Sequence, residues 1–231
     1  ISEGTDITPT LTGSDISFSA PDNFNGSETF TVSTSDSEYS DSQTITVIVN
    51  AVNDAPIANA TSSETVEDQS VVVSLSGSDI DGDNLSFSLD TDAINGSVTL
   101  DGSLATYTPD ENYSGSDSFT FTVSDGLETS EAIVTLDVSA VNDAPVLATV
   151  SDVSFDEDGS GSASLSASDV DGDDLTYSIS EGTDITPTLT GSDISFSAPG
   201  NFNGSETFTV STSDSEYVDS QTITVTETAV N

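Results

Sequence analysis

The stretch SFTFTVSDGLETSEAIVTLDVSAVNDAP, residues 118–145, alternates apolar and polar side chains on both sides of an Asp-Gly step. The apolar positions are Phe119, Phe121 and Val123 in the first run and Ala132, Val134, Leu136 and Val138 in the second. Alternation with period two is typical of strands that bury one face, because successive side chains point to opposite sides of a strand. The stretch therefore predicts a hairpin, which the polar sequence AVNDAP follows.

The sequence AVNDAP marks an internal repeat. It begins at Ala51 and again at Ala140, and AVN returns at Ala229, so the spacing is 89 residues both times. Residues 1–53 also match residues 179–231 with five differences, which are Asp22/Gly200, Ser40/Val218, Ile48/Thr226, Val49/Glu227 and Asn50/Thr228. We therefore expect the C-terminal half of a repeat at 1–50, complete repeats at 51–139 and 140–228, and the start of a further linker at 229–231.

The repeat pattern predicts an all-β fold. About seven short strands are expected in each repeat, a number typical of a β-sandwich. The Asn-Gly steps at Asn25-Gly26, Asn95-Gly96 and Asn203-Gly204 predict hairpins or other tight turns. Three or four strands from residues 1–50 are too few to close a sandwich. The missing strands either lie upstream in a longer protein or are donated by a neighbouring chain.

The charge narrows the classes of function. The 231 residues include 42 acidic side chains and no Lys, Arg or His, which gives a formal charge of −42. Such a field repels nucleic acids and anionic membrane surfaces, so we expect neither as a partner. An acidic chain with few aromatic residues also fits disorder, but the regular alternation favours a folded chain.

Cysteine is absent, so disulfides and thiolate metal sites cannot hold the fold, and a bound metal ion is the remaining candidate. No apolar run approaches the ~20 residues of a membrane span, and residues 1–20 do not look like a signal peptide. We expect a soluble segment without membrane insertion, whose export signal or anchor lies outside it.

An acidic loop occurs at nearly the same place in two repeats, 90 residues apart. It reads SDVDGDDLTYS at 168–178 and SDIDGDNL at 78–85. The loop is not an EF-hand, because counting from Asp169 puts Gly172 at position 4 and Ser180 at position 12. Even so, Ca²⁺ prefers six to eight oxygen ligands in irregular geometry, and carboxylates this close should raise one another's pKa when no cation is bound. The loop therefore predicts a calcium site, with a solvated acidic turn as the alternative.

Other acidic or oxygen-bearing residues recur with the loop. They are Asn53-Asp54 and Asn142-Asp143 at the repeat junctions, Glu67-Asp68 and Glu157-Asp158 after the first strand, and Asp36, Asp125 and Asp214 near the start of the final hairpin.

These features resemble the cadherin-like tandem repeats of large bacterial surface adhesins and secreted proteins, over essentially the whole chain. The resemblance is carried by AVNDAPV at 140–146, SDVDGDDLTYS at 168–178, SVTLDGSLATYTPDENYSGSDSFTFTVSDG at 97–126 and the closing hairpin at 123–145. It implies a linear array of Ig-like Greek-key sandwiches. Animal cadherins are similar in that hairpin and hold calcium at the domain junctions, with an early Glu, an Asp-x-Asp pair, an Asp before the last hairpin and an Asp-x-Asn-Asp-Asn linker.

The resemblance implies two sets of calcium ligands. One comprises Glu67, Asn142, Asp143, Asp169, Asp171 and Asp214, and the preceding junction would use Asn53, Asp54, Asp79, Asp81 and Asp125. Glu157 holds the early-glutamate place of the last repeat, and Asp83 and Asp173 are candidates for a local site within the loop. The linker departs from the animal pattern at Ala51 or Ala140 and at Ala55 or Ala144. We therefore expect roughly one to three ions at each junction.

The expected function is a calcium-rigidified extender or fibre segment of a bacterial surface adhesin or extracellular matrix protein. Its partners would be Ca²⁺ and neighbouring repeats, with self-association into fibres as a further option. A calcium-dependent carbohydrate-binding module is the alternative, for which Tyr39 and Tyr217 are the candidate contacts. Catalysis is not expected, because the chain lacks the His, Cys, Lys and Arg that activate nucleophiles or stabilise oxyanions.

Overall fold

The computed structural model describes residues 1–230, and every regular element in that part of the chain is a β-strand. The chain divides into two compact units, residues 1–139 and residues from 140 onward. Asn231, the last residue of the expected linker at 229–231, lies outside the described residues. Within residues 1–230 no helix has the length and apolarity that a membrane span requires.

Residues 1–50 of unit 1 form two antiparallel hairpins, β1–β2 and β3–β4. The strands are β1 (Thr8–Thr12), β2 (Asp15–Ser19), β3 (Gly26–Ser35) and β4 (Ser40–Val49). Ile7 and Phe30 are buried between the hairpins, whereas Ile45 on β4 is 38% exposed. The two hairpins therefore form part of a sandwich whose inner face is incompletely covered.

The first complete repeat is a sandwich of nine strands. They are β5 (Ile57–Asn59), β6 (Thr61–Val66), β7 (Val71–Ser74), β8 (Ser76–Ser78), β9 (Ser86–Thr91), β10 (Gly96–Asp101), β11 (Leu104–Pro109), β12 (Gly115–Ser124) and β13 (Thr129–Ser139). One sheet has the order β6-β13-β12-β9, the other has the order β10-β11-β7, and β5 pairs with β8. The pair β6–β13 is parallel, and the remaining pairs are antiparallel.

Unit 2 repeats this topology. Its strands are β14 (Val146–Leu147), β15 (Val153–Asp156), β16 (Gly161–Ser164), β17 (Ala167–Ser168), β18 (Thr176–Ile179), β19 (Thr186–Thr190), β20 (Asp193–Ser197), β21 (Gly204–Ser213) and β22 (Val218–Thr228). The sheets have the orders β15-β22-β21-β18 and β16-β20-β19, with β14 paired to β17. Each complete repeat therefore has nine strands, whereas the sequence predicts about seven. The two extra strands are those of the short ribbons, β5–β8 in unit 1 and β14–β17 in unit 2.

The alternating apolar residues form the cores. In the first complete repeat Phe119, Phe121, Val123, Val134, Leu136 and Val138 are all 3% exposed or less. The core of unit 2 contains Ile194, Phe196, Phe208, Val210, Ile223 and Val225, each 1% exposed or less. Each of these side chains contributes roughly 1.5–3 kcal/mol by its removal from water.

The prediction of hairpins at the Asn-Gly steps is wrong. These steps lie at the beginnings of β3, β10 and β21. The tight hairpins β1–β2, β10–β11 and β19–β20 turn instead at Gly13, Gly102 and Gly191, with φ of 65°, 60° and 63°. At Gly96 the reason for glycine is space, because a Cβ would lie 2.6 Å from the ring of Tyr107.

Candidate metal sites

The two acidic loops have the same geometry. In the loop of unit 2, Asp169 Oδ1 accepts hydrogen bonds from the N–H groups of Asp171, at 3.0 Å, and Asp173, at 3.3 Å. In the loop of unit 1, Asp79 Oδ1 accepts the equivalent bonds at 2.9 and 3.2 Å. Gly82 and Gly172 have φ of 81° and 78°, a conformation that glycine adopts without strain. The sequence Asp-x-Asp-Gly-Asp therefore folds into a compact turn that holds three carboxylates together.

The linker joins the loop of the repeat that follows it. Asp143 N–H donates to Asp171 Oδ2 at 2.7 Å, and Asn142 Nδ2 donates to Asp214 Oδ2 at 2.9 Å. Equivalent bonds in unit 1 link Asp54 N to Asp81 Oδ2 and Asn53 Nδ2 to Asp125 Oδ2, both at 2.8 Å.

Each linker, loop and hairpin thus contributes to one cluster. The first acidic cluster consists of Asn53, Asp54, Asp79, Asp81, Asp83 and Asp125. The second acidic cluster consists of Asn142, Asp143, Asp169, Asp171, Asp173 and Asp214. The structure therefore brings together, in each of the two complete repeats, six of the residues that the sequence singled out.

The hairpin aspartates are fixed in the ionised form. Asp214 Oδ1 accepts the N–H groups of Glu216 at 2.7 Å and Tyr217 at 2.6 Å. The hydrogen bond from Asn142 is the main cause that lowers the pKa of Asp214, although desolvation opposes it. At Asp125 the bond from Asn53 likewise lowers the pKa most. These carboxylates therefore remain charged at neutral pH.

The donor set fits a hard divalent cation. In each loop, carboxylate oxygens of the three aspartates lie within 4.8 Å of one another. Two oxygens that ligate one Ca²⁺ at 2.3–2.6 Å are at most about 5 Å apart, so the spacing is compatible with a shared ion. Moreover, Asp79 Oδ2 and Asp169 Oδ2 are buried and have no hydrogen-bond partner. An unpaired buried carboxylate oxygen is costly unless a cation or donor meets it.

The pKa of Asp173 is raised by its surroundings. Desolvation raises its pKa most, and repulsion by the charges of Asp169, Asp171 and Asp214 raises it further. A nearby cation would reverse the effect of that repulsion.

Glu67 and Glu157 lie at the opposite end of their own sandwich from the acidic cluster of the same repeat. Glu67 N–H donates to the carbonyl of Ser139, at the last residue of β13, whereas Asp125 precedes the first residue of that strand. The 11 residues of β13 span about 35 Å. Glu157 has the same place beside the end of β22, and its Oε1 accepts the N–H of Val230 at 2.8 Å. The assignment of Glu67 to the second acidic cluster remains a prediction.

A cavity adjoins the first acidic cluster. It has a volume of about 230 Å³ and is lined on one side by Asp54 and Asp81. Three asparagines of the preceding half repeat and its linker, Asn23, Asn25 and Asn50, line it as well. Sequence reasoning did not single out these asparagines as candidate ligands, since Asn25 precedes Gly26 and Asn is a common turn residue.

A further carboxylate that the sequence did not single out is structural. Asp117 is 8% exposed and accepts hydrogen bonds from the N–H groups of Ile94 and Asn95 and from the hydroxyl of Tyr107. Glu28 and Glu206 hold the same place in the other repeats, where each binds three consecutive backbone N–H groups. In sequence Glu28 and Glu206 are in phase with the core residues Phe30 and Phe208 of their strands, but their hydrogen-bond partners lie more than 20 residues away.

The tyrosines of the carbohydrate alternative are exposed. Tyr39 is 73% exposed and Tyr217 is 45% exposed. Their N–H groups donate to Asp36 and Asp214, so both follow the turn of a final hairpin.

The class of protein follows from the fold and the clusters: a tandem array of β-sandwich repeats with an acidic cluster at one end of each complete repeat. A sequence model of the bacterial Ig domain matches residues 53–137 and 142–226. The chain therefore belongs to the bacterial Ig domain family. A comparison with curated proteins finds no match.

Solved cadherin ectodomains share the fold. PcdhgB3 EC1-4 matches with a TM-score of 0.62 and 14% identity, over 100% of this chain and 66% of that one. Drosophila N-cadherin EC1-4 matches with a TM-score of 0.53 and 13% identity, over 99% of this chain and 71% of that one. The expectation of tandem, cadherin-like all-β domains is confirmed.

An endo-fucoidan hydrolase of glycoside hydrolase family 107 is similar at a TM-score of 0.35 and 19% identity. This chain spans 38% of the length of that enzyme. A likeness at that score carries no argument about activity.

Proposed function

We propose that this chain is a calcium-stiffened extender segment of a bacterial surface adhesin or extracellular matrix protein. The observation that carries the proposal is the hydrogen bond from the backbone of each linker to the acidic loop of the repeat that follows this linker. Asp54 N–Asp81 Oδ2 is 2.8 Å and Asp143 N–Asp171 Oδ2 is 2.7 Å. A cation held by the loop would therefore also order the linker.

The residues of each cluster have separate tasks in this proposal. Asp169 Oδ1 is already occupied by two backbone N–H groups, so Oδ2 is the atom available to a cation. Asn142 holds Asp214 in place beside the loop through its amide. Bound Ca²⁺ would supply positive charge that offsets the repulsion among the carboxylates.

Glu67 and Glu157 extend the proposal to the junctions. The bond from Val230 N–H to Glu157 Oε1 ties this glutamate to the linker that follows its repeat. Glu67 holds the matching position in the first complete repeat, and we assign it to the junction that follows that repeat. An ion bound by residues from both sides of a junction would restrict rotation between repeats.

The proposed setting is extracellular. Modules that bind calcium outside cells have Kd values of about 10⁻⁴ to 10⁻³ M, which suits millimolar calcium. Membership of the bacterial Ig domain family and likeness to cadherin ectodomains support this setting.

Calorimetric titration and thermal melting test the proposal. We expect Ca²⁺ to bind with a Kd of about 10⁻⁴ to 10⁻³ M and to raise the Tm relative to EDTA. At 100 times Kd, each site stabilises the folded state by about 2.7 kcal/mol. The variant Asp169→Asn/Asp171→Asn should lose the binding step that belongs to the second acidic cluster.

The matched control is Asp184→Asn/Asp193→Asn, which removes two charges from exposed positions outside both clusters. It should bind calcium as the parent does. Equal calcium binding by the two double variants would refute the assignment of the site, and a Tm that calcium leaves unchanged would refute the proposed stabilisation.

A further inference from the structure

We infer that the first complete repeat contains a docking groove for a basic segment of another polypeptide. The groove has a volume of about 570 Å³ and lies on the outer face of the sheet β6-β13-β12-β9. It is lined by Glu64 on β6, by Ile133 and Asp137 on β13, and by Ile94 in the segment between β9 and β10. Two carboxylates and two aliphatic side chains therefore share one concave surface.

The two carboxylates lie side by side on neighbouring strands. Asp137 is the register partner of Glu64 in the parallel pair β6–β13, and both side chains are exposed. Like charges directly opposite each other on adjacent strands destabilise a sheet. A positive group above the pair would reverse that effect. A guanidinium fits this place because its fork of donors can bond to two carboxylate oxygens at once.

The positive side chain must come from a different molecule. None of the 231 residues is Lys, Arg or His, so a second copy of this sequence supplies no basic side chain either. The formal charge of −42 also opposes the association of two copies, whereas it attracts basic polypeptides. Charge complementarity therefore favours a basic polypeptide over a second copy.

The aliphatic side chains favour an amino-acid side chain over a metal ion. Ile94 is 85% exposed and Ile133 is 43% exposed. The stems of Arg and Lys pack on apolar surface while their charged heads reach polar groups. An arginine next to an aliphatic residue would therefore contact both the carboxylates and the isoleucines, whereas a metal ion would contact the carboxylates alone.

The backbone beside the groove is held by the fold. Ile94 N–H donates to Asp117 Oδ1 at 3.1 Å, and Asn95 N–H donates to Asp117 Oδ2 at 2.9 Å. The Tyr107 hydroxyl also donates to the carbonyl of Asn95 at 3.3 Å. Ile94 is thus an exposed side chain on a fixed backbone, which lowers the ordering cost of binding.

Unit 2 has the same topology without these four side chains. Thr183 takes the place of Ile94, because its N–H donates to Glu206 as that of Ile94 donates to Asp117. The other three counterparts also carry uncharged hydroxyl groups: Thr222 for Ile133, Thr226 for Asp137 and Ser154 for Glu64. The sandwich therefore folds without the two charges and the two isoleucines, and this supports a role for them in binding.

NMR titration of the ¹⁵N-labelled full chain with short peptides tests the inference. The probe is acetyl-Leu-Arg-Leu-amide. One control is acetyl-Leu-Gln-Leu-amide, which lacks the charge, and the other is acetyl-Gly-Arg-Gly-amide, which lacks the aliphatic side chains. The buffer contains EDTA, and it contains 0.15 M NaCl because a Debye length of about 8 Å screens long-range attraction.

We expect the probe to shift the amide signals of residues 62–64, 94–95 and 133–137 in a saturable way. It should bind roughly fivefold more tightly than either control peptide, because only the probe offers both the charge and the aliphatic contacts.

Two charge variants locate the site. Glu64→Gln/Asp137→Asn should weaken binding of the probe roughly tenfold, because it removes both acceptors of the guanidinium. Asp184→Asn/Asp193→Asn removes the same amount of charge from exposed positions outside the groove, and it should bind the probe as the parent chain does.

Two further variants test the aliphatic contacts. Ile94→Thr/Ile133→Thr introduces the residue type of both matched positions in unit 2, so the sandwich should fold while the probe binds more weakly. Val72→Thr/Leu104→Thr changes residues that are 59% and 47% exposed outside the groove, and it should leave binding unchanged.

Absence of saturable shifts at the groove would overturn the inference. Equal effects of the two charge variants would also overturn it, because binding would then follow the total charge alone. The inference is likewise wrong if the uncharged peptide binds as tightly as the probe, which would indicate a site for neutral ligands. Binding of CaCl₂ that depends on Glu64 and Asp137 and excludes the probe would indicate a metal site instead, which also overturns it.

Discussion

Hydrogen bonds distinguish two kinds of carboxylate in this chain. Asp117 is surrounded by donors, namely backbone N–H groups of Ile94 and Asn95 and the Tyr107 hydroxyl. Asp173 has other carboxylates as its main charged neighbours. The charge of the first kind is stabilised by the protein's own donors, whereas the charge of the second kind is opposed by its neighbours.

Calcium should lower the pKa of Asp173. Desolvation and the neighbouring aspartates raise this pKa above 3.8 in the metal-free protein. A bound cation favours the charged form and opposes both effects. Carboxyl-carbon NMR titrations in EDTA and in 10 mM CaCl₂ measure the change. A pKa that is identical in the two buffers would show that no cation binds near Asp173.

Replacing Asp117 should destabilise unit 1 in a pH-dependent way. Desolvation raises the pKa of Asp117, but the hydrogen bonds from Asn95, Ser118, Ile94 and Tyr107 outweigh it and lower the pKa below 3.8. Because the folded-state pKa is lowered, its contribution to stability is present above pH 3.8 and is lost as the pH falls through the folded value.

We therefore expect Asp117→Asn to cost about 1–3 kcal/mol at pH 7 and less near pH 3. Urea unfolding at the two pH values measures this difference. Asp137→Asn, at an exposed position on β13, is the control and should change little. A loss of stability that is the same at both pH values would contradict the role given to the carboxylate charge.

At the level of elements, the sequence predicts most of the acidic clusters. The spacing Asp-x-Asp-Gly-Asp and the 89-residue repeat suffice to place the loop, the linker and the hairpin aspartate in one repeat. The bonds Asn53–Asp125 and Asn142–Asp214 join residues 72 positions apart, and only the similarity to cadherin repeats indicates that they meet.

Other features could not be read from local patterns. Asn95-Gly96 has the composition of a hairpin turn, but Gly96 begins β10 and lies against the ring of Tyr107. Asp117 is in phase with the buried Phe119 and Phe121, so the alternation places it on the inner face, but its hydrogen-bond partners Ile94, Asn95 and Tyr107 are not indicated by the local sequence. In both cases the deciding contact is with Tyr107, 10 or more positions away, which local propensity does not reveal.

Strand β22 contains a buried acidic residue, which is costly to remove from water. Glu227 on β22 is 2% exposed, and its Oε2 has no hydrogen-bond partner. The matching residues in the other repeats are Val49 and Val138.

We expect Glu227→Val to stabilise unit 2 by about 1–3 kcal/mol, because it removes an unsatisfied buried polar group. For a domain of this size the Tm should rise by about 4–8 °C per kcal/mol. Calorimetric melting in EDTA measures the change, with Thr226→Val on the neighbouring position as the control. A lower Tm for Glu227→Val would show that the carboxylate has a stabilising role.

For the whole molecule, the formal charge of −42 without any basic side chain is the dominant property. Like charge at this density destabilises compact states and keeps chains apart. Monovalent salt screens such charge at long range, but it does not tie a linker to a loop. The proposed function therefore requires an effect of calcium that an equal ionic strength of NaCl does not reproduce.

Small-angle X-ray scattering of the chain in CaCl₂, and in EDTA with NaCl at matched ionic strength, tests this claim most directly. We predict that calcium shifts the distribution of interatomic distances to longer values and increases the maximum dimension, because the junctions lose their rotational freedom. The variant Asp169→Asn/Asp171→Asn should show a smaller change than the control Asp184→Asn/Asp193→Asn. Superimposable curves for the parent chain in the two buffers would contradict the account.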